Sequence, residues 1–183
     1  MHGKHKGDKF ENDICRALSV WLVGSDYAGS LVQDLPFRRR FTTSTPLEGH
    51  WDGSGDILHR PDVAFPFCVE CKKREGWELD GMFGNDKWPV WTWWEQAKEQ
   101  AAKTKDRYPL LVFSRNRRSI YAMLHEEVGQ CLKVGSERCL VQVERNGSER
   151  VVLVLLDDLA KTTRKSVESL LVSGRRTINV ALT

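Results

Sequence analysis

The segment from Gly55 to Lys72 constrains the fold of this chain more than any other. It contains an acidic residue, Asp56, then a turn rich in His, Pro and Asp, and then an apolar stretch that ends on Glu70-Cys71-Lys72. This pattern predicts two short strands joined by a turn. Because side chains alternate between the two faces of a strand, Glu70 and Lys72 are expected to point the same way.

The two carboxylates of this segment indicate a cation site. We expect Asp56, on the first strand, to meet Glu70 on the second, and two ionised carboxylates repel each other unless a cation lies between them. Their oxygen atoms suit Mg²⁺ or Mn²⁺. Lys72, a third charged group nearby, would orient or deprotonate a water molecule for attack on a phosphate.

A third acidic residue lies on the first predicted helix, which spans Asp8 to Val23. Glu11 falls within the same arc as the apolar residues of this helix, where a carboxylate costs free energy unless it finds a partner. One alternative is a first-turn glutamate that favours the helix dipole and bends out to solvent. We favour a third metal ligand beside Asp56 and Glu70. The apolar residues of the arc are Phe10, Ile14, Leu18, Trp21 and Leu22.

These acids resemble the motif of a known nuclease superfamily. Asp56, thirteen intervening residues and Glu70-x-Lys72 are similar to the PD-(D/E)xK motif, in which a leading helix supplies another glutamate. The opening Lys-Gly-Asp-Lys-Phe-Glu and the later segment PLLVFSRNRR resemble phage-encoded Holliday junction resolvases and related nucleases. The resemblance extends to about residue 125.

The resemblance implies an α/β fold, in which helices flank a mixed central β-sheet as in restriction endonucleases. The strand pattern beyond residue 125 adds a β-rich extension at the C-terminus. It implies one or two Mg²⁺ or Mn²⁺ ions, held by the three acids and the Cys71 backbone carbonyl. It also implies a secondary role for Gln96, on the second predicted helix. Asp62 is the rival of Asp56, but only seven residues separate it from Glu70 and it lies in the predicted turn. The expected catalytic residues are Glu11, Asp56, Glu70, Lys72 and Gln96.

The basic residues indicate a polyanionic partner. The net charge is only +3, but lysines and arginines occur in clusters, some of them near the predicted metal site. Such clusters suit DNA phosphates, and the hydroxyls of the Thr42-Thr43-Ser44-Thr45 segment would help to position the strand. Solvated surface residues are the alternative for each cluster. The predicted DNA-binding residues are Lys4, Lys6, Arg38, Arg39, Arg40, Ser44, Lys73, Arg115, Arg117 and Arg118.

Further elements follow from apolar patterns. A helix from Trp88 to Lys103 is expected to pack through one face, with its tryptophans in the core. An exposed Trp88 or Trp91 near its start is the alternative. The continuous apolar run Pro109 to Phe113 predicts a strand covered on both sides, parallel to the strand that carries Glu70. Later segments predict a β-hairpin, a short helix and a final strand. They are Cys139 to Arg145, Arg150 to Leu156, Asp157 to Lys161 and Thr177 to Leu182.

The length of 183 residues predicts one domain, with a flexible basic tail over residues 1–7, a catalytic core over 8–124 and an extension over 125–183. No apolar run approaches the ~20 residues of a membrane span, so we expect a cytoplasmic protein, in the host cytoplasm if it is phage-encoded. The five cysteines, an odd number, favour a reducing compartment. Cys68 and Cys71 are expected to be core thiols.

The function predicted from these residues is that of a metal-dependent endonuclease. The resemblance implies branched DNA such as a Holliday junction as the substrate, and a homodimer that presents two sites to two strands. One alternative is a PD-(D/E)xK endonuclease of another specificity. Another is a DNA-binding module that cuts nothing. A metal-free nucleotide binder is disfavoured because the sequence has no Gly-rich phosphate loop.

Overall fold

The computed structural model describes residues 2–40, 51–83, 87–104, 107–134, 139–145, 147 and 149–171, with side chains from residue 7 onwards. Short 3₁₀ helices cover Ser25–Gly29, Val32–Asp34 and Leu79–Met82, and residues 164–171 are helical. The other elements, in chain order, are α1 (His2–Leu22), β1 (Phe37–Arg39), β2 (Ile57–His59), β3 (Phe67–Lys73), α2 (Pro89–Ala102), β4 (Tyr108–Ser114), β5 (Tyr121–His125), α3 (Glu126–Cys131), β6 (Cys139–Arg145), β7 (Glu149–Leu155) and α4 (Leu156–Leu159).

A five-stranded mixed sheet forms the centre of the fold, in the order β3-β4-β5-β7-β6. Strands β3 and β4 are parallel, with Glu70 opposite Leu111, and the remaining pairs are antiparallel. The predicted parallel pair is confirmed. It is possible because α2 carries the chain from the end of β3 back to the start of β4.

Helices cover both faces of this sheet. On one face, Leu110 and Val112 of β4 pack in a core that includes the apolar side of α1. On the other face, Leu111 and Phe113 pack in a core that includes the tryptophans of α2. Strand β4 is buried on both sides, as its continuous apolar sequence predicts.

The tryptophans at the start of α2 are buried, so their expected place in the core is confirmed and the alternative of an exposed Trp88 or Trp91 is wrong. Each of them is only 2% exposed. The segment after β3 folds back over the sheet, so that Trp88 Nε1 donates a hydrogen bond to the Glu78 carbonyl at 2.8 Å. The Trp77 ring lies 5.0 Å from that of Phe113, between centroids. Helical periodicity alone does not place Trp88 on the packed face, because the residues that cover it come from a loop.

The structure adds detail at both ends of the predicted core. Helix α1 begins at His2, so residues 2–7 are helical rather than a separate tail. Strands β6 and β7 form the predicted hairpin, but β7 pairs with β5, so the residues after 125 complete the central sheet. Ser44 and the predicted strand from Thr177 to Leu182 lie outside the described residues. In the part of the chain that is described, no helix has the length and apolar character needed to span a membrane.

Candidate active site

Asp56 is positioned by the glycine that precedes it. Gly55 has φ +83°, and a Cβ atom at this position would lie 2.4 Å from the Val69 carbonyl oxygen. Only a glycine therefore allows the chain to approach the free edge of β3 so closely. The Asp56 amide donates to that same Val69 carbonyl at 2.7 Å, which places the carboxylate beside the end of β3.

The β1–β2 hairpin is anchored through a buried histidine. Arg107 donates to His59 Nε2 at 2.7 Å, and His59 Nδ1 lies 2.9 Å from the Arg60 carbonyl, so Nδ1 carries the proton. Burial lowers the pKa of His59, which favours this neutral form. Arg107 also donates to the Phe65 carbonyl at 2.6 Å. These contacts fix the hairpin on which Asp56 depends.

The Asp56 carboxylate is held by the backbone of β3. Its Oδ2 atom accepts a hydrogen bond from the Cys71 amide at 2.7 Å. Burial and the charge of Glu70 raise the pKa of Asp56, while the Cys71 amide and Lys72 oppose the rise. The two predicted carboxylates are thus close enough to repel each other.

Glu70 and Lys72 lie on one face of β3, as the alternation of strand side chains predicts. Glu70 is 7% exposed, and its Oε1 atom accepts a hydrogen bond from Lys72 Nζ at 2.5 Å. Lys72 is a cationic partner that helps to stabilise this buried carboxylate.

Glu11 reaches the same region from α1. Arg39 NH1 lies 2.7 Å from Asp8 Oδ1 and 4.0 Å from Glu11 Oε2. Burial, followed by the charge of Asp56, raises the pKa of Glu11 to about 7, while Arg39 lowers it. The Glu11 side chain is only 21% exposed, so it does not bend out to solvent.

Glu11, Asp56 and Lys72 line one cavity of about 420 Å³. Glu70 does not line it, although its charge raises the pKa of both Glu11 and Asp56. The residues that line the cavity are Gly7, Glu11, Asp56, Cys71, Lys72, Lys73 and Arg74.

The donor atoms at this cavity have the chemistry that a divalent cation requires. Carboxylate oxygens are hard ligands, and a cation would offset the burial and the mutual repulsion that raise the pKa of Glu11 and Asp56. Within the described ranges, however, no three His, Cys, Asp or Glu side chains form a group ready to hold a metal ion. One oxygen of Asp56 accepts a hydrogen bond from the Cys71 amide, and one oxygen of Glu70 accepts a hydrogen bond from Lys72. The carboxylates therefore lie close together but are not arranged as a coordination shell.

Two other predicted residues lie away from the cavity. Gln96 is exposed on α2 and does not line it. Asp62, the rival of Asp56, has a side chain that is 70% exposed and is paired with Arg60 at 3.3 Å. The structure therefore places Asp56, and not Asp62, beside Glu70.

Basic residues lie at the ends of β3 and β4. The Arg74 amide donates to the Ser114 carbonyl at 3.1 Å, which brings the basic turn after β4 beside the end of β3. Arg117 in this turn has φ +57°. Arg115 is occupied within the protein, because it pairs with Glu78 and lies 5.7 Å from the Trp77 ring centroid.

Sequence reasoning missed Asp8 and Gly55. Asp8 lies one helical turn before Glu11, and a spacing of three residues places both acids on one side of α1. Gly55 directly precedes the first motif acid, and a glycine within a strand pattern is a known sign of close backbone approach. Arg39, predicted to bind DNA, bridges these acids in the structure.

Comparison with protein families gives a match over most of the chain. The model of the family described as "Phage putative PDDEXK endonuclease" matches residues 2–169. The match extends past residue 125 and includes the β6–β7 hairpin. Searches of the curated proteins and of the solved structures gave no significant match.

Proposed function

Because the chain belongs to the phage putative PDDEXK endonuclease family, we propose that the cavity beside β3 is the active site of a Mg²⁺-dependent endonuclease that cuts branched DNA. Family membership makes the protein a nuclease with DNA as its substrate. The observation that carries the assignment of the site is the meeting of Glu11, Asp56 and the Cys71 backbone at one cavity, beside the Glu70–Lys72 pair.

The proposed ligands of the divalent ion are the carboxylates of Glu11, Asp56 and Glu70 and the Cys71 carbonyl. Within a β-strand, the N–H and C=O groups of one residue face the same edge, so the Cys71 carbonyl faces the edge where Asp56 lies. When bound, a divalent ion supplies an activated water and stabilises the charge that develops on the phosphate. Glu70 and Asp56 can both bind the ion, because each carboxylate has a second oxygen besides the one that accepts a hydrogen bond from Lys72 or Cys71.

Lys72 orients the attacking water in this proposal. Its ammonium group already donates to Glu70, so it acts as a hydrogen-bond donor and does not take up a proton. The water loses a proton to solvent and attacks the scissile phosphorus, the P–O ester bond opposite to it breaks, and the leaving oxygen takes up a proton from solvent. The same ammonium group offsets negative charge on the phosphate oxygens.

The cationic residues around the cavity support binding to a DNA backbone. Lys73 and Arg74 line the cavity, and the basic turn with Arg117 and Arg118 lies beside them. Contacts with phosphates position a nucleic acid without reading its sequence. Contacts of Lys4, Lys6 and Ser44 with DNA are also proposed, although the structure does not describe these side chains.

The specificity for four-way junctions and the homodimer are the finer parts of the proposal, and they rest on the resemblance to phage junction resolvases. A junction has two strands to cut, and two copies of the chain related by a two-fold axis would present one site to each. An endonuclease that acts on linear duplexes is the competing outcome.

Cleavage assays test both levels of the proposal. The protein is incubated with a four-way junction and with a linear duplex of the same sequence, in Mg²⁺ and in chelator. Symmetrical, metal-dependent nicks in the junction alone support the resolvase, whereas cleavage of both substrates supports a broader endonuclease. Glu70→Gln should abolish cleavage and leave DNA binding nearly intact. Glu168→Gln, which changes a glutamate paired with Arg164, is the control. Cleavage that survives in Glu70→Gln contradicts the assigned site.

A further inference from the structure

A second cavity, of about 370 Å³, lies beside the candidate active site. It is formed by α1, by the segment that leads into β1, and by Trp51. Its volume falls within the range of about 300 to 1,000 Å³ that is usual for ligand pockets. The residues that line it are Asn12, Val32, Gln33, Arg38, Arg39 and Trp51.

This cavity adjoins the acids of the proposed metal site. Arg39 lines the cavity and contacts Asp8 at 2.7 Å, with Glu11 at 4.0 Å. Asn12, another lining residue, directly follows Glu11 on α1. Since nucleotides repeat every 3.4 Å along a strand of B-DNA, a group in this cavity lies within a few nucleotides of the phosphate at the active site.

One wall of the cavity consists of two flat groups. The Arg38 guanidinium carbon lies 4.0 Å from the centroid of the Trp51 ring. Arg38 Nε is shielded from water, and it has no hydrogen-bond partner among the described groups. Indole rings and arginine planes are the surfaces on which proteins stack unpaired bases.

The other walls provide both polar and apolar contacts. Asn12 and Gln33 carry amides, each of which can donate and accept hydrogen bonds. Val32 is partly exposed and apolar. Flat surfaces together with paired donors and acceptors match an aromatic heterocycle, whereas a phosphate would need only the cations.

We propose that this cavity receives an unpaired nucleobase of the DNA substrate, stacked against Arg38 and Trp51 and contacted at its edge by Asn12 and Gln33. The inference rests on the proposed nuclease function and adds a substrate feature to it. A base within a duplex is paired and stacked on both sides, so only a base that is unpaired or flipped out can enter. The cavity thus favours DNA with an unpaired nucleotide close to the cleavage position.

The test is a binding cycle that removes the ring from the protein and the base from the DNA. The full-length protein in chelator is titrated with forked DNA whose unpaired positions are replaced, one at a time, by abasic residues. For wild-type protein we expect one position at which base removal weakens binding about 5- to 100-fold. Trp51→Ala should bind the intact and abasic forks equally weakly, and Trp51→Phe should keep most of the effect. Phe83→Ala, which removes an exposed aromatic ring outside the cavity, is the control.

The abasic series with wild-type protein decides the matter even if Trp51→Ala does not fold, and Gln33→Ala then tests the cavity through an exposed residue. The proposal is overturned if no abasic position weakens binding, or if folded Trp51→Ala keeps the wild-type penalty. Metal-dependent cleavage without an abasic penalty removes the base pocket and leaves the nuclease. An abasic penalty in a protein that cleaves no DNA in any metal supports the base pocket and contradicts the proposed nuclease function.

Discussion

The carboxylate of Asp56 accepts a hydrogen bond from the backbone amide of Cys71 at 2.7 Å. The residues are fifteen positions apart, and the contact joins the first acid of the motif to the residue between Glu70 and Lys72. The two halves of the motif are thus connected through the main chain, which does not depend on the identity of the Cys71 side chain. This contact makes the geometry of the site sensitive to backbone changes near Asp56.

Replacing Gly55 by alanine should therefore damage both stability and cleavage. A Cβ atom would lie 2.4 Å from the Val69 carbonyl oxygen, and φ is +83°, so either the backbone moves or strain remains. We expect a loss of about 2 to 4 kcal/mol in the free energy of unfolding and loss of metal-dependent cleavage. Denaturant unfolding and a junction cleavage assay measure the two effects.

Gly147→Ala is the control for the backbone angle alone. Gly147 has φ +70°, but a Cβ atom added there would meet no described atom within 4 Å. We expect a loss of about 1 to 2 kcal/mol from the left-handed conformation and unchanged cleavage. Equal losses of activity in the two variants would show that Gly55 has no special role beside Asp56.

Lys72→Met should remove cleavage while the protein still folds and binds DNA. The variant takes away the donor to Glu70 Oε1 and the only charge on this side chain. Loss of a group that positions the attacking water costs about 10²- to 10⁴-fold in rate. The measurement is single-turnover cleavage beside DNA affinity. Lys161→Met, which removes an exposed lysine paired with Asp158, is the control. A cleavage rate within tenfold of wild type would contradict the role of Lys72.

The elements that sequence predicted well are those with a strong local pattern. Strand β3, strand β4 and the helix between them follow from alternation, from an apolar run and from helical spacing. The relation of Glu70 to Lys72 also follows, because it depends only on the alternation of strand side chains. These features needed no knowledge of distant contacts.

The features that sequence did not provide depend on contacts between distant segments. The burial of Trp88 arises from its hydrogen bond to the Glu78 carbonyl, within a loop that covers the sheet. The ion pair of Arg39 with Asp8 joins β1 to α1 across some thirty residues, and no local pattern encodes it. A run of arginines suggests DNA binding, but only the fold shows that one of them faces acids of its own chain.

In the absence of metal, Glu11→Gln should make the protein more stable at pH 8. The pKa of Glu11 is raised from 4.5 to about 7 by burial first and by Asp56 second, so the folded state holds its proton more tightly than the unfolded state. Stability from this group is therefore greatest at low pH, falls as pH rises from 4.5 to 7, and the full penalty remains above pH 7. With allowance for solvent screening, we expect a gain of about 1 to 2 kcal/mol.

The check is chemical denaturation of wild type and Glu11→Gln in chelator at pH 5 and pH 8. The difference between them should be larger at pH 8 and should shrink or reverse when a divalent metal is added, because the glutamate would then serve as a ligand. Glu168→Gln should change little at either pH. A Glu11→Gln variant that is less stable than wild type at pH 8 without metal would show that burial and the charge of Asp56 do not destabilise the ionised Glu11 carboxylate.

Glu149→Gln should show the opposite dependence on pH. Burial raises the pKa of Glu149, but hydrogen bonds from Lys98 at 2.7 Å and from Trp94 at 2.9 Å outweigh it, and the pKa is lowered overall. A lowered pKa contributes stability above the pKa of the unfolded state, and this contribution is lost as pH falls through the folded pKa. We expect the variant to be less stable by about 1 kcal/mol at pH 7 and equal to wild type at strongly acidic pH.

Glu149 lies at the start of β7, at the opposite end of the sheet from Lys73, so DNA cleavage by Glu149→Gln should be unchanged. Unfolding curves from pH 3 to pH 7 measure the effect, and a destabilisation that persists unchanged at pH 3 would show that it comes from packing and not from the charge.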